Sequence, residues 1–502
     1  MTKYLILIII SLSFIIYGNS LNNAFVSDDI PDILNNPEIS NISRLVDLNY
    51  FSLSGVTFTL NYLIAGYNPW IYHLTNIIIH ILTSIAVFFF LRIFFKYWPS
   101  FWGTLLFVVH PIHTENITWI SGRGHAFFGL FVLISFICYV KATSSYRFKW
   151  GFFISAIAMY IFSLYSGPFA LLYPAMIILY DVTFRKWKKH WKQWIVFLGL
   201  ACFRLLFMIG TVSGRVVSIS TDVGSVREVN WFFKIAYSFF SHLWLLLWPE
   251  KLTLYHDDLS ISMTAIVLEV LALGFVILLL PFIFRRAKVI FFAICIFILF
   301  LAPTYSPVTI TWLVAERYLY FPSIALSLVL AFLIEKFSRK RPFKIAGIVL
   351  LVSILIACST HTIIRNFDWK TRASLWRATA KVSPNSAKAH NNMGDIHSGE
   401  GNLKEAVKSF KRAIELKPNY AHAYHNLAHT YQQMGYLEEA IKNYKEAINI
   451  NENLYQSYRN LGVIYLERNE LALAKEYFRK VLEINPGEKS VRRVLEMIEK
   501  RK

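Results

Sequence analysis

Long apolar runs, broken by short polar or basic loops, fill the chain as far as about His361. Several reach or approach the ~18 apolar residues that a membrane-spanning helix needs. They predict helices at about 4–18, 71–95, 99–112, 125–141, 150–166, 168–182, 193–212, 263–284, 288–303, 314–335 and 343–364. A further apolar segment, 231–249, carries Lys234, Ser238, Ser241 and His242 at helical spacing. One polar face on an apolar helix predicts a segment lying in the membrane interface rather than crossing it.

Past Asn366 the apolar runs stop and a 34-residue period takes over: Asn392, Asn426, Asn460; Ala406, Ala440, Ala474; Phe410, Tyr444, Phe478. Small residues where two helices cross, with aromatics between repeats, form the tetratricopeptide pattern. Three repeats are expected at 387–420, 421–454 and 455–488. Arg372, Trp376 and Pro384 mark a partial repeat before them, and a polar capping helix follows at 488–500. The expected fold is all-α, a polytopic membrane bundle over 1–365 and an α-solenoid over 366–502.

Composition agrees with the membrane reading: 56% of the 502 residues are hydrophobic and 17% aromatic. A net charge of +20 would point to nucleic acid in a soluble protein. Here the basic residues cluster between apolar runs, so they orient the chain and imply no nucleic-acid partner. With the N-terminus cytoplasmic, the inward loops hold Arg92 and Lys96; Lys141, Arg147 and Lys149; Arg185 to Lys192; Arg285, Arg286 and Lys288; and Lys336 to Lys344. This parity places the first polar loop, 113–124, 213–262, 304–313 and the repeats outside. The first segment lacks a small-residue cleavage site and reads as an uncleaved anchor. Cys138, Cys202, Cys295 and Cys358 lie inside apolar segments, away from any disulfide or zinc arrangement.

The outward loops carry the chemistry. Asp28 and Asp29 stand in Ser27-Asp28-Asp29-Ile30-Pro31-Asp32. Such a pair serves either as turn chemistry before proline or as a general base at a membrane-surface site. His110, His113 and Glu115 crowd one loop; they could ligate a metal, though their spacing is not the i, i+4 pair of a helical zinc site. Arg204 sits within a span, where a charge costs about 2.5–3.5 kcal/mol. Arg317 opens the tenth span beside Tyr318 and Tyr320, as an interfacial anchor or an anion ligand. Carboxylates (Asp28, Asp29, Glu115) and cations (Arg123, Arg215, Arg317) at one surface suit transfer of a group from a lipid-linked phosphate to a hydroxyl. The hydroxyl needs a base, and the phosphate leaving group needs charge stabilisation.

The chain resembles the transmembrane-and-tetratricopeptide-repeat O-mannosyltransferases of the GT-C glycosyltransferase class. The matching stretches are FVSDDIPDILNNPEI, HPIHTENITWISGRGH, LWPEKLTLYHDD and AERYLYFPSIALSLVLAF, followed by the repeats. The resemblance implies a polyprenyl-phosphate sugar donor, with mannose as the sugar, and an acidic catalytic residue in the first loop. Asp29 is then the expected base and Asp28 its neighbour in the loop. Arg317, Arg123, His113, Glu115 and Arg204 are the expected donor-binding set, with no metal assigned and a divalent cation the less favoured addition. Tyr165-Ser166-Gly167-Pro168 stands where family members carry a Ser-Lys-Glu-like patch. Asn392, Asn426 and Asn460 recur on the groove side and would read an extended protein acceptor. The short array favours a bacterial member, in the inner membrane with its repeats periplasmic. Two other readings stay open: a membrane-tethered scaffold for periplasmic assembly, and an O-antigen ligase or polymerase.

Overall fold

The computed structural model describes residues 1–42, 52–185, 190–222, 231–256, 263–306, 312–337 and 341–500. Lys186, Lys188, Lys189, Arg339, Lys340 and the side chains of Arg215 and Lys344, all used above, lie outside the described residues. The chain divides into two compact units: residues 1–254 with 260–375, and 255–259 with 376–502.

The first unit holds α1 (Thr2–Tyr17), α2 (Leu53–Ala65), α3 (Pro69–Leu91), α4 (Tyr97–Val109), α5 (Thr114–Thr118), α6 (Arg123–Thr143) and α7 (Trp150–Leu164). It continues with α8 (Tyr173–Phe184), α9 (Trp191–Asp222), α10 (Trp231–Leu247), α11 (Met263–Arg286), α12 (Lys288–Leu301), α13 (Ile324–Phe337) and α14 (Arg341–Asn366). All eleven expected spans fall on helices. Seven helices among the described residues are long and apolar enough to cross a membrane. The other four, α4, α7, α8 and α13, are shorter. The 13 residues of α4 rise ~20 Å against a hydrocarbon core of ~30 Å.

Three of these helices stop early because one end gives way to a tight turn. Pro111–His113 follows α4, Pro168–Leu172 precedes α8 and Glu316–Leu319 precedes α13. Non-helical backbone at that depth is tolerated only where protein surrounds it. Here it is surrounded: residues 110–120 are all buried. By contrast α11 exposes Leu268, Leu271, Phe275 and Leu278, as a lipid-facing helix does. Gly103 lets α4 and α13 cross closely, since a Cβ there would lie 2.8 Å from the Ser327 carbonyl oxygen.

Two elements depart from expectation. Helix α2 forms within the first polar loop, begun by Ser52, whose hydroxyl caps the Gly55 N–H. On α10, Ser238 and His242 do not face water. Both are fully buried; Ser238 bonds Thr304 (2.9 Å) and the Leu313 carbonyl (2.9 Å). The polar stripe on α10 therefore satisfies Thr304, Leu313 and Ala315 of the same unit.

The second unit is the expected solenoid. α15 (Arg372–Val382) begins the half-repeat. Three helical hairpins follow: α16 (Ala387–Gly399) with α17 (Leu403–Leu416), α18 (Ala421–Gln433) with α19 (Leu437–Ile450), and α20 (Tyr455–Glu467) with α21 (Leu471–Ile484). α22 (Lys489–Lys500) closes the array. A Cβ on Gly394 or Gly462 would come within 2.5–2.6 Å of the Phe410 or Phe478 ring. The recurring small residue is thus a contact requirement of the hairpin.

Candidate functional site

The first loop turns at Ser27, which adopts the left-handed region at φ 53°. That conformation is uncommon for a residue with a Cβ. The turn separates the two carboxylates. Asp28 is not buried, whereas Asp29 is fully buried. Asp29 accepts three bonds, from the Val26 N–H (3.0 Å), the Ser121 N–H (2.8 Å) and the Ser121 hydroxyl (2.8 Å). Burial pushes its carboxyl up to about 7; the Val26 and Ser121 donors and the nearby Arg123 charge pull the other way. Burial also raises Asp32. Ser121 reaches Asp29 because Gly122 lets the loop fold on itself: a Cβ there would lie 2.7 Å from the Glu115 carbonyl oxygen.

Arg123 does not stand at the surface. It is fully buried, donates to Thr57 (2.9 Å), Asn61 (3.0 Å) and the Tyr72 carbonyl (3.0 Å), and lies over the Phe58 ring. A guanidinium so committed joins α2, α3 and α6 and balances Asp29 electrostatically. Its Nη1 and Nη2 donors are directed at oxygens inside the protein.

Glu115 and Arg317 meet in an ion pair at 2.5 Å, with side chains 1% and 13% exposed, and the Arg317 N–H adds a second bond at 2.7 Å. Burial raises the Glu115 carboxyl, Arg317 opposes and Glu316 adds to the rise. A second buried cluster sits alongside, where Arg365 bridges Glu316 (3.1 Å) and Asp368 (2.8 Å). Arg317 also lies over the rings of Trp119 and Tyr318, so cation and aromatic faces adjoin there.

The histidines diverge. His110 binds the Leu246 carbonyl (2.9 Å) and caps the Ile112 N–H (3.2 Å). His113 binds the Ser323 hydroxyl (2.8 Å), and burial holds its pKa well below the ordinary imidazole value. With Glu115 on Arg317, the three do not converge. Among the described residues, no cluster of His, Cys, Asp and Glu could hold a metal ion.

Arg204 lies elsewhere in the unit, over the Tyr165 ring, with its Nε 3.4 Å from the Leu164 carbonyl. The 165–168 turn it covers packs on the starts of α2 and α6. A Cβ on Gly124 would lie 3.1 Å from the Ser166 carbonyl oxygen, and the Leu53 N–H donates to the Tyr165 carbonyl.

In the repeat unit the three asparagines are half-buried and already engaged. The Asn392 amide donates to the Lys388 carbonyl (2.9 Å), Asn426 to Asn391 (3.1 Å) and Asn460 to the Tyr444 hydroxyl (2.9 Å). Asn426 thus links α18 to α16 and Asn460 links α20 to α19, whereas Asn392 bonds back within α16. His425 nearby bonds Ser457 (2.7 Å), and burial holds it down to about 4.

Sequence reasoning missed other residues of the site. His73 binds the Asn23 carbonyl (3.0 Å), and Asn76 binds those of Ile117 and Trp119 (both 3.0 Å). They share an inward stripe on α3, and polar residues three apart in a span are the sequence cue that could have found them. Asn366, Arg365 and Trp369 offered no such cue.

A tetratricopeptide-repeat family model matches residues 385–453 and 419–486. A Caenorhabditis elegans protein O-mannosyl-transferase is 27% identical over 82% of this chain and 62% of its own length. The mouse protein O-mannosyl-transferase TMTC3 is 26% identical over 82% of this chain and 51% of its own. The chain thus spans about half to three fifths of those relatives. The crystal structure of the MamA protein aligns with 26% of this chain and 70% of its own, at 22% identity and a TM-score of 0.24. Along about four fifths of its length, the chain is similar to protein O-mannosyl-transferases, TMTC3 among them.

Proposed function

We propose that the protein is a membrane glycosyltransferase that moves mannose from a polyprenyl-phosphate donor to hydroxyls of protein acceptors on the extracytoplasmic side. The observation that carries this is Asp29, a buried carboxylate with its pKa near 7 in the turn of the first loop. A base works best with a pKa near the working pH. The acceptor oxygen attacks the anomeric carbon, its proton passes to Asp29, and the bond from that carbon to the lipid phosphate breaks. The phosphate leaves as the lipid monoester. Arg317, paired with Glu115, is the cation that would steady the departing charge. The strained turn at Ser27 supports a loop that opens to admit the acceptor, since a fully buried carboxylate meets no substrate otherwise. The repeats, with Asn392, Asn426 and Asn460, are the surface proposed to present protein acceptors.

A second reading, a membrane-tethered scaffold, is favoured by one observation: the three bonds that hold Asp29 are internal. The two separate in one experiment. Purified full-length protein is incubated with polyprenyl-phosphate mannose and a periplasmic extract, and modified residues are mapped by mass spectrometry. Hexose on Ser or Thr, lost in Asp29→Asn, is expected. Absence of transfer, or equal transfer by an Asp28→Asn/Asp29→Asn double variant, refutes the proposal.

A further inference from the structure

Two chain segments supply the donors that hold Asp29: residues 23–26, through the Val26 N–H, and residues 118–121, through Ser121. Both are pinned to the segment at and just beyond the end of α14. The Asn366 amide donates to the Ile16 carbonyl (2.9 Å) and Asn19 (2.7 Å), and its oxygen accepts from Thr118 (2.9 Å). Its backbone carbonyl accepts from Asn23 (3.1 Å), and the Lys370 carbonyl accepts from the Ala24 N–H (2.9 Å). Trp369 is fully buried and stacks on Trp119, centroids 5.9 Å apart. Asn366 itself is 1% exposed, with both ends of its amide used. The same two stretches are also held by His73 and Asn76 of α3, through the carbonyls of Asn23, Ile117 and Trp119.

We infer that Asn366 is a positioning residue for Asp29, clasping together the two segments whose donors orient the carboxylate. This rests on the reading of Asp29 as the base. An amide suits the place because one group donates to α1's end and accepts from Thr118 at once. A hydrophobic residue of similar size would leave the Ile16 carbonyl and the Thr118 hydroxyl unpaired in the interior. With the clasp gone, the 23–26 and 118–121 segments drift apart, water reaches Asp29, and its carboxyl returns toward the ordinary range. The charged groups around it are Asp28 and Asp32 on its own loop and Arg123 on α6. None of them touches Asn366 among the described contacts.

The test uses full-length protein in detergent. Asn366→Ala and Thr118→Val should each lower kcat roughly tenfold. Each should also move the acidic limb of the kcat/KM profile down by roughly one pH unit. Thr118→Ser, which restores the hydroxyl, should recover both. The infrared band of the protonated Asp29 carboxyl, identified by its loss in Asp29→Asn, should titrate at the same lowered midpoint. This readout needs no turnover. A shifted band in a protein that transfers nothing would keep the clasp and refute the glycosyltransferase proposal. An active wild type whose Thr118→Val variant loses yield or kcat with limb and band unmoved would overturn the clasp.

Discussion

Replacing Asp29 by Asn keeps the shape of the side chain and removes its ionisation, so the variant isolates the effect of burying a carboxyl. In the folded chain that carboxyl is raised to about 7 from an unfolded value near 3.8. The folded state therefore binds the proton more tightly. The stability this group confers is whole below about pH 4 and is lost as the pH rises through about 7. One pKa unit corresponds to 1.36 kcal/mol, so the wild type should lose about 3 kcal/mol between pH 5 and pH 8 on this account. The Asp29→Asn variant has no such slope. Its altered bond to the Val26 N–H is a constant offset that cancels between the two pH values. Unfolding in detergent micelles, followed at pH 5 and pH 8 for both proteins, reads the difference directly. The wild type should be the relatively weaker one at pH 8. Transfer should run the other way, because the base must be ionised: kcat/KM should rise about tenfold per pH unit below about 7 and level above it. An equal stability gap at both pH values, or an acidic limb near pH 4, would refute the account of Asp29.

Three further outcomes are expected. Arg317→Ala leaves the Glu115 carboxylate buried without its partner, at a cost of about 3–5 kcal/mol. Adding Glu115→Gln should recover most of that stability but not donor affinity; recovery of donor KM as well would make the pair purely structural. In a background without Cys138, Cys202, Cys295 and Cys358, cysteines at Asn22, Lys251 and Lys411 should label with an impermeant reagent from outside, and those at Arg147 and Arg285 only after permeabilisation. Protection of Lys251→Cys would mean that α10 crosses the membrane. Asn392→Ala/Asn426→Ala/Asn460→Ala should weaken modification of protein acceptors about tenfold while sparing short peptides; a fall in the melting temperature of the repeats with protein acceptors unaffected would make the ladder a tie between helices.

The fold was legible where a local period dictates it. Gly394, Ala428 and Gly462 recur at 34 residues because each packs near an aromatic of the paired helix, and such repetition is visible without a structure. The apolar runs marked helices in every case. Their lengths were less readable: α13 begins at Ile324 rather than near 314, since Tyr318, Tyr320 and Phe321 are apolar enough to pass for helix yet are buried in turns. On α10 the polar stripe was correctly seen and its direction misread, because a period tells which residues share a face and not what the face meets.

The site divides in the same way. Residue types named its members, Asp29, Glu115, Arg123 and Arg317, but not their partners. Ser121 lies 92 residues from Asp29, Arg317 lies 202 from Glu115, and Asn366 lies 248 from Thr118. At such separations no spacing rule applies, and the pairing follows from how the bundle closes. This explains why Arg123 and Arg317, alike on paper, part company. Arg123 opens α6 immediately after Gly122, so its side chain enters the bundle and must satisfy its donors on Thr57, Asn61 and the Tyr72 carbonyl. Arg317 lies on the turn before α13 and meets the buried Glu115 carboxylate, with 13% of its own side chain still open. An arginine whose bonds go to neutral oxygens in the interior can hold a shape, whereas one whose anion can be exchanged for another can bind a phosphate. Of the two, the donor is expected at Arg317, and Arg317→Lys should restore charge while losing the forked geometry that two phosphate oxygens require.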